Sequence, residues 1–279
     1  MMSRCFVILF VSALLFCQAC AAPVSHTHIN AKGKTLNDRI TVPTGYTRVS
    51  LAKGSFGEYL RYLQLKPDGA VVHFYDGRVK RNNGVYMAVV DMPIGSKNLQ
   101  QCADVIMHVR AEYLYTHHRE DEIYFTYTNG FRADYTKWRD GYRTSSDGGK
   151  YNWVKSQSPD NSYEGFCSYM DVIYGYCGTL SLSKELKDVE YKDVQPGDVL
   201  IVGGSPGHAE IVMDVATNKN GEKIYLLAQG YMPAQDMQIV ANPEDGLLSP
   251  WYKMDDHTTN IVTPEWTFTI GQLMRFEGE

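Results

Sequence analysis

The chain has 279 residues, 44% of them hydrophobic and 21% charged, with a formal charge of -5. That composition suits one large domain or two small ones and excludes extensive disorder away from the ends. Lys and Arg are scattered, so the basic patch that a phosphate backbone needs is missing and nucleic acid is not expected as a partner.

Residues 1–21 read as a signal peptide. Arg4 supplies a short positive start, Phe6 to Phe16 is an apolar run of the length export requires, and Ala19-Cys20-Ala21 fits the small-x-small cleavage rule. Export to the periplasm or cell envelope is expected. Two processing routes stay open: cleavage after Ala21, or cleavage before Cys20 with a lipid anchor placed on that thiol. No later run reaches ~18 apolar residues, so no transmembrane helix is expected. Residues 22–44 read as a polar tether. Its His26 and His28 lack the further ligands a metal needs, and neither a metal nor any other cofactor is expected.

In the next portion, 45–150, Phe56, Tyr59, Leu60 and Leu63 recur at helical spacing, and strand-like pieces follow at Ala70 to Tyr75 and Val85 to Val90. Leu99 to Tyr115 is the clearest helix, with Cys102, Val105, Ile106, Val109, Tyr113 and Leu114 in one apolar stripe. Cys102 is read there as a packing residue. Ile123 to Thr128 alternates as a strand. Phe131, Tyr135, Trp138 and Tyr142, interleaved with Arg132, Arg139 and Arg143, suit either a helix covering the sheet or a groove for glycan or peptide. Ser145 to Lys150 is the most natural seam, separating 45–150 from 151–279 unless one continuous domain runs from 45.

Beyond the seam, Asn161 or Ser162 caps a helix running to about Tyr176, with Phe166, Met170, Ile173 and Cys177 on its packing face and Cys167 beside Asp171 and Tyr174. On one helix Cys167 and Cys177 would stand roughly 15 Å apart, too far for a disulfide, so at least one thiol outside the signal is free. Pro196-Gly197 and Ser205-Pro206-Gly207 bracket a β-branched run and deliver His208 to the mouth of the next strand. Along that strand His208, Glu210, Val212 and Asp214 alternate with Ala209, Ile211, Met213 and Val215. Asn220-Gly221 marks a hairpin into Ile224 to Ala228. A two-residue turn would set Val212 opposite Gln229, on the face of His208, and a bulge or longer loop would shift that register.

A helix cysteine, then a histidine at a strand mouth, then an amide on the following strand is an order that suits thiol catalysis. The histidine takes the thiol proton and the third group fixes the ring tautomer. In this chain the order reads Cys167, His208, Gln229. Phe166-Cys167-Ser168, Val194-Gln195-Pro196-Gly197-Asp198-Val199 and Gly207-His208-Ala209 with Ile211-Val212 resemble the NlpC-type cell-wall peptidases. Tyr113 to Arg143 and Gln229-Gly230-Tyr231-Met232-Pro233-Ala234-Gln235 resemble a family of exported bacterial proteins thought to share that fold.

The resemblance implies an α+β fold in which a papain-like antiparallel sheet packs on helices, with an N-terminal α+β elaboration. The chain departs from that pattern at Phe166, which stands in place of an Asp, and at Glu210, in place of a small Gly. Cys167 would also lie in the second helical turn, beyond the reach of the dipole that activates a thiol. The expected function is therefore binding of peptidoglycan fragments, glycan or another exported protein, with His208, Gln229 and Cys167 as the remnant site and Glu210, Asp214, Tyr231 and Gln235 as binding residues. The alternative is an active cell-wall cysteine peptidase or amidase with Cys167 as nucleophile and His208 as base. A metal-dependent hydrolase on His208, Glu210 and Asp214 is the remotest reading, because no second histidine lies near them.

Overall fold

A computed structural model describes residues 27–255 and 257–279. The expected signal peptide, both processing sites and His26 lie outside those residues. The chain forms α1 (Leu36–Arg39), β1 (Tyr46–Arg48), α2 (Phe56–Arg61), β2 (Tyr86–Val89) and α3 (Cys102–Thr116), then β3 (Tyr124–Thr126), β4 (Arg132–Asp134) and α4 (Tyr135–Arg139). The hairpin β5 (Tyr142–Asp147) and β6 (Lys150–Lys155) precedes α5 (Tyr163–Tyr176), α6 (Thr179–Glu185) and β7 (Lys187–Asp188). There follow β8 (Val199–Val202), β9 (His208–Asn218), β10 (Lys223–Gln229), β11 (Gln238–Val240), β12 (Trp251–Lys253), β13 (Asn260–Val262), β14 (Thr267–Thr269) and β15 (Leu273–Arg275). The architecture is mixed α+β around an antiparallel sheet. Among the described residues no helix is long and apolar enough to cross a membrane.

The main sheet runs β2-β11-β10-β9-β8-β15-β7, with β1 added to β9 and β12 to β10. Strands from both sides of the expected seam share this sheet. The seam itself is the tip of the β5–β6 hairpin, where Asp147 pairs with Lys150 around Gly148-Gly149. Both glycines take the left-handed conformation that such a turn requires. Within the span expected as a tether, Thr35 caps α1 and the Leu36 and Ile40 side chains are fully buried. Burying those two aliphatics contributes about 1.5–3 kcal/mol each and ties the segment to the core.

Alternation divides the sheet between two cores. Val199, Ile201, Ala209, Ile211, Met213, Leu226 and Ala228 face the helices, against Val105, Ile106 and Val109 of α3 and Phe166, Met170 and Ile173 of α5. Leu200, Val212, Val215, Tyr225 and Leu227 face the other way, under Ile261 and Phe268 of the β13–β14 hairpin. Tyr135 and Trp138 are buried, so the aromatic stretch read as cover or groove contributes side chains to the helix-side packing.

The β9–β10 hairpin differs from the two-residue expectation in two compensating ways. Its tip is longer, with Asn218 N donating to Glu222 O and Thr217 paired with Lys223. That shift alone would turn Gln229 away from the face of His208. Between Leu226 and Leu227 the register slips once more, leaving Asp214 opposite Leu226 and Val212 opposite Leu227, with Met213 as the extra residue. Ala228 pairs with Ile211, so the next step along brings Gln229 abreast of Glu210. Two one-residue shifts restore the parity at the His208 end and reverse it beyond Met213.

Candidate active site

Cys102 is the first residue of α3, directly after the N-cap Gln101. The backbone N–H groups of a first helical turn have no partner within the helix, and the dipole favours negative charge there. Gln101 N donates to Asp104 Oδ2 at 2.9 Å, which closes the cap. The glycine after Gln229 brings β10 up to this turn: a Cβ on Gly230 would stand 2.4 Å from Val105 Cγ2 and 3.0 Å from Gln101 O. Gly207 is equally confined, since a Cβ there would lie 2.6 Å from Thr179 Oγ1 and 2.4 Å from Gly204 O. The first approach seats the end of β10 at the mouth of α3, and the second seats the start of β9 against α6.

His208 is 2% exposed and lies beside Cys102, which lines the same cleft and raises the imidazole pKa. Its Nε2 meets Gln229 Oε1 at 2.8 Å and Glu210 Oε1 at 3.5 Å. Burial pushes the imidazole pKa down, but Cys102 and the Glu210 carboxylate outweigh it and raise the value from 6.5 to about 9. At neutral pH the ring is therefore an imidazolium. Glu210 is wholly buried, accepts from Thr263 Oγ1 at 2.7 Å and keeps its Oε2 without a hydrogen-bond partner. Gln229 Nε2 donates to Glu265 Oε2 at 2.7 Å. The rings of Tyr231, Trp266 and Phe268 enclose His208 at centroid distances of 5.0, 5.4 and 5.9 Å.

Cys102 and His208 open into one cleft of about 480 Å³ that Tyr174, Tyr231, Met232 and Trp266 also line. Asp104 lies at its edge, pushed up to about 7 by burial against the hydrogen bonding of the helix cap. Among the described residues no group of three or more His, Cys, Asp and Glu side chains is arranged to hold a metal ion.

Several residues singled out in the sequence stand elsewhere. Cys167 is on α5, with Tyr163 and Asp171, in a separate cavity of about 370 Å³. Its thiol pKa is raised by burial and by Glu112. Of the cysteines among the described residues, the one beside His208 is Cys102, which had been read as packing. Asp214 is turned to the helix side by the Met213 bulge and is fully buried, bound by Arg61 at 2.7 Å and Arg48 at 2.5 Å. It is a structural ion-pair centre and is unavailable for binding. Gln235 is also fully buried, away from the cleft lining. Tyr231 does line the cleft, while Glu210 and Gln229 lie beneath the imidazole.

The reading of Cys102 as a packing residue traces to a helix boundary. Starting the helix at Leu99 puts Cys102 a turn inside it, where a thiol on an apolar stripe packs. The Gln101 to Asp104 cap, three residues apart, was the available signal that the helix begins at Cys102. Lys80, Thr263 and Glu265 carried no local signal, because each acts through a contact distant in sequence.

The chain belongs to the family described as "Domain of unknown function (4846)", whose model matches residues 36–275. No curated protein and no solved structure matches it.

Proposed function

We propose that this chain is an exported cysteine hydrolase with a papain-like site, in which Cys102 is the nucleophile, His208 the acid and base, and Gln229 the residue that orients the imidazole. One observation carries the reading: Cys102, at the first position of α3, lines one cleft with a buried histidine whose Nε2 is held by an amide oxygen at 2.8 Å. Of the two functions the sequence left open, this contact favours the enzyme and transfers the nucleophile from Cys167 to Cys102.

The chemistry follows from the arrangement. Cys102 supplies the attacking sulfur and the His208 imidazolium supplies the proton that the leaving group needs. The sulfur attacks an amide carbon, the C–S bond forms, and the carbonyl oxygen becomes an oxyanion near the free N–H groups of the first turn of α3. The C–N bond then breaks as His208 delivers its proton to the leaving amine. Water attacks the thioester, His208 takes its proton, and release of the acid regenerates the thiol pair. Glu210 keeps the imidazolium stable between these steps.

The substrate class we infer is a peptide of the cell envelope, with peptidoglycan stem peptides the leading candidate. Support comes from the resemblance of the His208 strand and the Pro196-Gly197 turn to cell-wall peptidases, and from the signal-like order of residues 1–21. The aromatic cleft suits an extended peptide. Export by either processing route, with or without a lipid on Cys20, belongs to the same proposal.

Alkylation mapped by peptide mass spectrometry tests it. Cys102 should react with iodoacetamide at neutral pH faster than Cys167 and Cys177. Equal, slow reaction at all three positions would return the chain to the non-catalytic reading, in which the fold only binds wall fragments.

A further inference from the structure

Gln229 can fix the His208 tautomer only if its own amide has a fixed direction. A side-chain amide turned by half a rotation exchanges an acceptor for a donor, and the flipped form would offer N–H groups to Nε2. Nothing in Gln229 itself prevents this. The restraint comes from Glu265, whose Oε2 accepts from Gln229 Nε2 at 2.7 Å and leaves Oε1 for the imidazole.

Glu265 is placed by a tight turn between β13 and β14, in which Thr263 N donates to Trp266 O at 2.8 Å. Lys80 Nζ grips the same Oε2 at 2.5 Å, although its side chain is only 10% exposed. Burial lowers the Lys80 pKa, and the bond to Glu265 opposes that shift. The ammonium also stands 5.3 Å from the centre of the Tyr231 ring, which meets His208 edge-on at 5.0 Å. A chain of contacts thus leads from Lys80 through Glu265 and Gln229 to His208 and Cys102. Lys80, Glu265, Gln229 and His208, from distant parts of the sequence, share one hydrogen-bonded line.

We propose that Glu265, held by Lys80, is the positioning residue that fixes the Gln229 amide with its oxygen towards His208. The inference rests on the hydrolase reading, and Glu265 itself touches neither the thiol nor substrate. The groups facing the imidazole are Cys102 from α3, Glu210 from its own strand, Gln229 from β10 and Tyr231 beyond it, with Glu265 and Lys80 one contact further out. Glu210 is present in every variant below, so differences among them report the Lys80–Glu265–Gln229 line.

The test compares Glu265→Met, which removes the acceptor, with Glu265→Gln, which keeps an acceptor oxygen and removes the charge. Two readouts are taken on the full chain: the His208 titration midpoint by NMR, and the rate of Cys102 alkylation by iodoacetamide at neutral pH. Glu265→Met should lower the midpoint by about one pH unit and slow alkylation about tenfold, while Glu265→Gln stays within about threefold of the parent. An unchanged Glu265→Met, or equal shifts in both variants, would overturn the positioning role. Should Glu265→Met fail to fold, Lys80→Met against Lys80→Arg makes the same comparison from the other end of the ion pair, with loss expected only for Met. The two proposals fail separately: an unreactive Cys102 in the parent protein defeats the hydrolase reading, whereas the His208 midpoint reports the Gln229 orientation without any acylation.

Discussion

The helices α3 and α5 carry one cysteine each and make an instructive pair. Cys102 opens α3, against the start of β9 and the end of β10, and has a histidine for a neighbour. Cys167 is the fifth residue of α5, where its surroundings are Tyr163, Asp171 and the Glu112 carboxylate. Burial, followed by the Glu112 carboxylate, raises the pKa of that thiol. Both cysteines precede His208 in the chain, so order alone fits either. Position within the helix and the charge of the nearest partner separate a reactive sulfur from a packed one.

The largest expected effect breaks this comparison if it fails. Cys102→Ala should remove hydrolysis of stem peptides by at least about a thousandfold, while Cys167→Ala stays within about twofold. Steady-state rates on purified peptides, with circular dichroism to confirm the fold, decide it. A loss at Cys167 equal to that at Cys102 would reverse the assignment.

A second effect sharpens the contrast between the two faces of β9. Asp214 was grouped with His208 by simple alternation, but the Met213 bulge sends it to the helix side between Arg48 and Arg61. Asp214→Ala leaves two guanidinium groups without their buried carboxylate and should lower stability by about 3–5 kcal/mol. Chemical denaturation measures that loss. A change below about 1 kcal/mol would mean the ion-pair centre contributes little to the fold.

The third concerns pH. The folded His208 pKa of about 9 lies above its ordinary 6.5. A raised folded value stabilises the protein fully below the unfolded pKa, and the contribution is lost as pH rises through about 9. At most about 3 kcal/mol is at stake between those limits. Stability measured in denaturant at several pH values should therefore decline from about 6.5 to about 9, and Glu210→Gln should flatten the decline. A Glu210→Gln profile parallel to the parent would show that the carboxylate does not hold the charge.

The legible part of the molecule was its local periodicity and the strand-turn-strand run around His208. The α3 and α5 stripes, the Ser162 cap and the shared face of His208 and Gln229 all follow from spacing and side-chain chemistry. Met213 gives no sign in sequence that it is an extra residue, so the correct parity at Gln229 rested on two shifts that cancel, and Asp214, beyond the bulge, was misassigned. The seam at Ser145 to Lys150 looked like a boundary because a glycine turn at a hairpin tip has the same composition as a linker. Membership of β1 and β2 in the main sheet depends on pairings formed at long range, with β1 meeting β9 and β2 meeting β11, and short strands carry too few residues to announce such partners.

The smallest effect tests the seating of α3 on the sheet, where Gly230 touches the turn that carries Cys102. Added carbon at Gly230 would lie 2.4 Å from Val105 Cγ2 and 3.0 Å from the Gln101 carbonyl. The first clash is with a side chain and can be removed by shortening Val105; the second is with backbone and cannot. Gly230→Ala should lower stability by about 1–3 kcal/mol and move Cys102 away from His208, slowing thiol alkylation. Adding Val105→Ala should recover part of the stability, yet leave alkylation slow, because the Gln101 backbone still stands off. If the double variant regained full thiol reactivity, the close approach of β10 would matter only for packing, and the Cys102–His208 contact would be set by α3 and β9 alone.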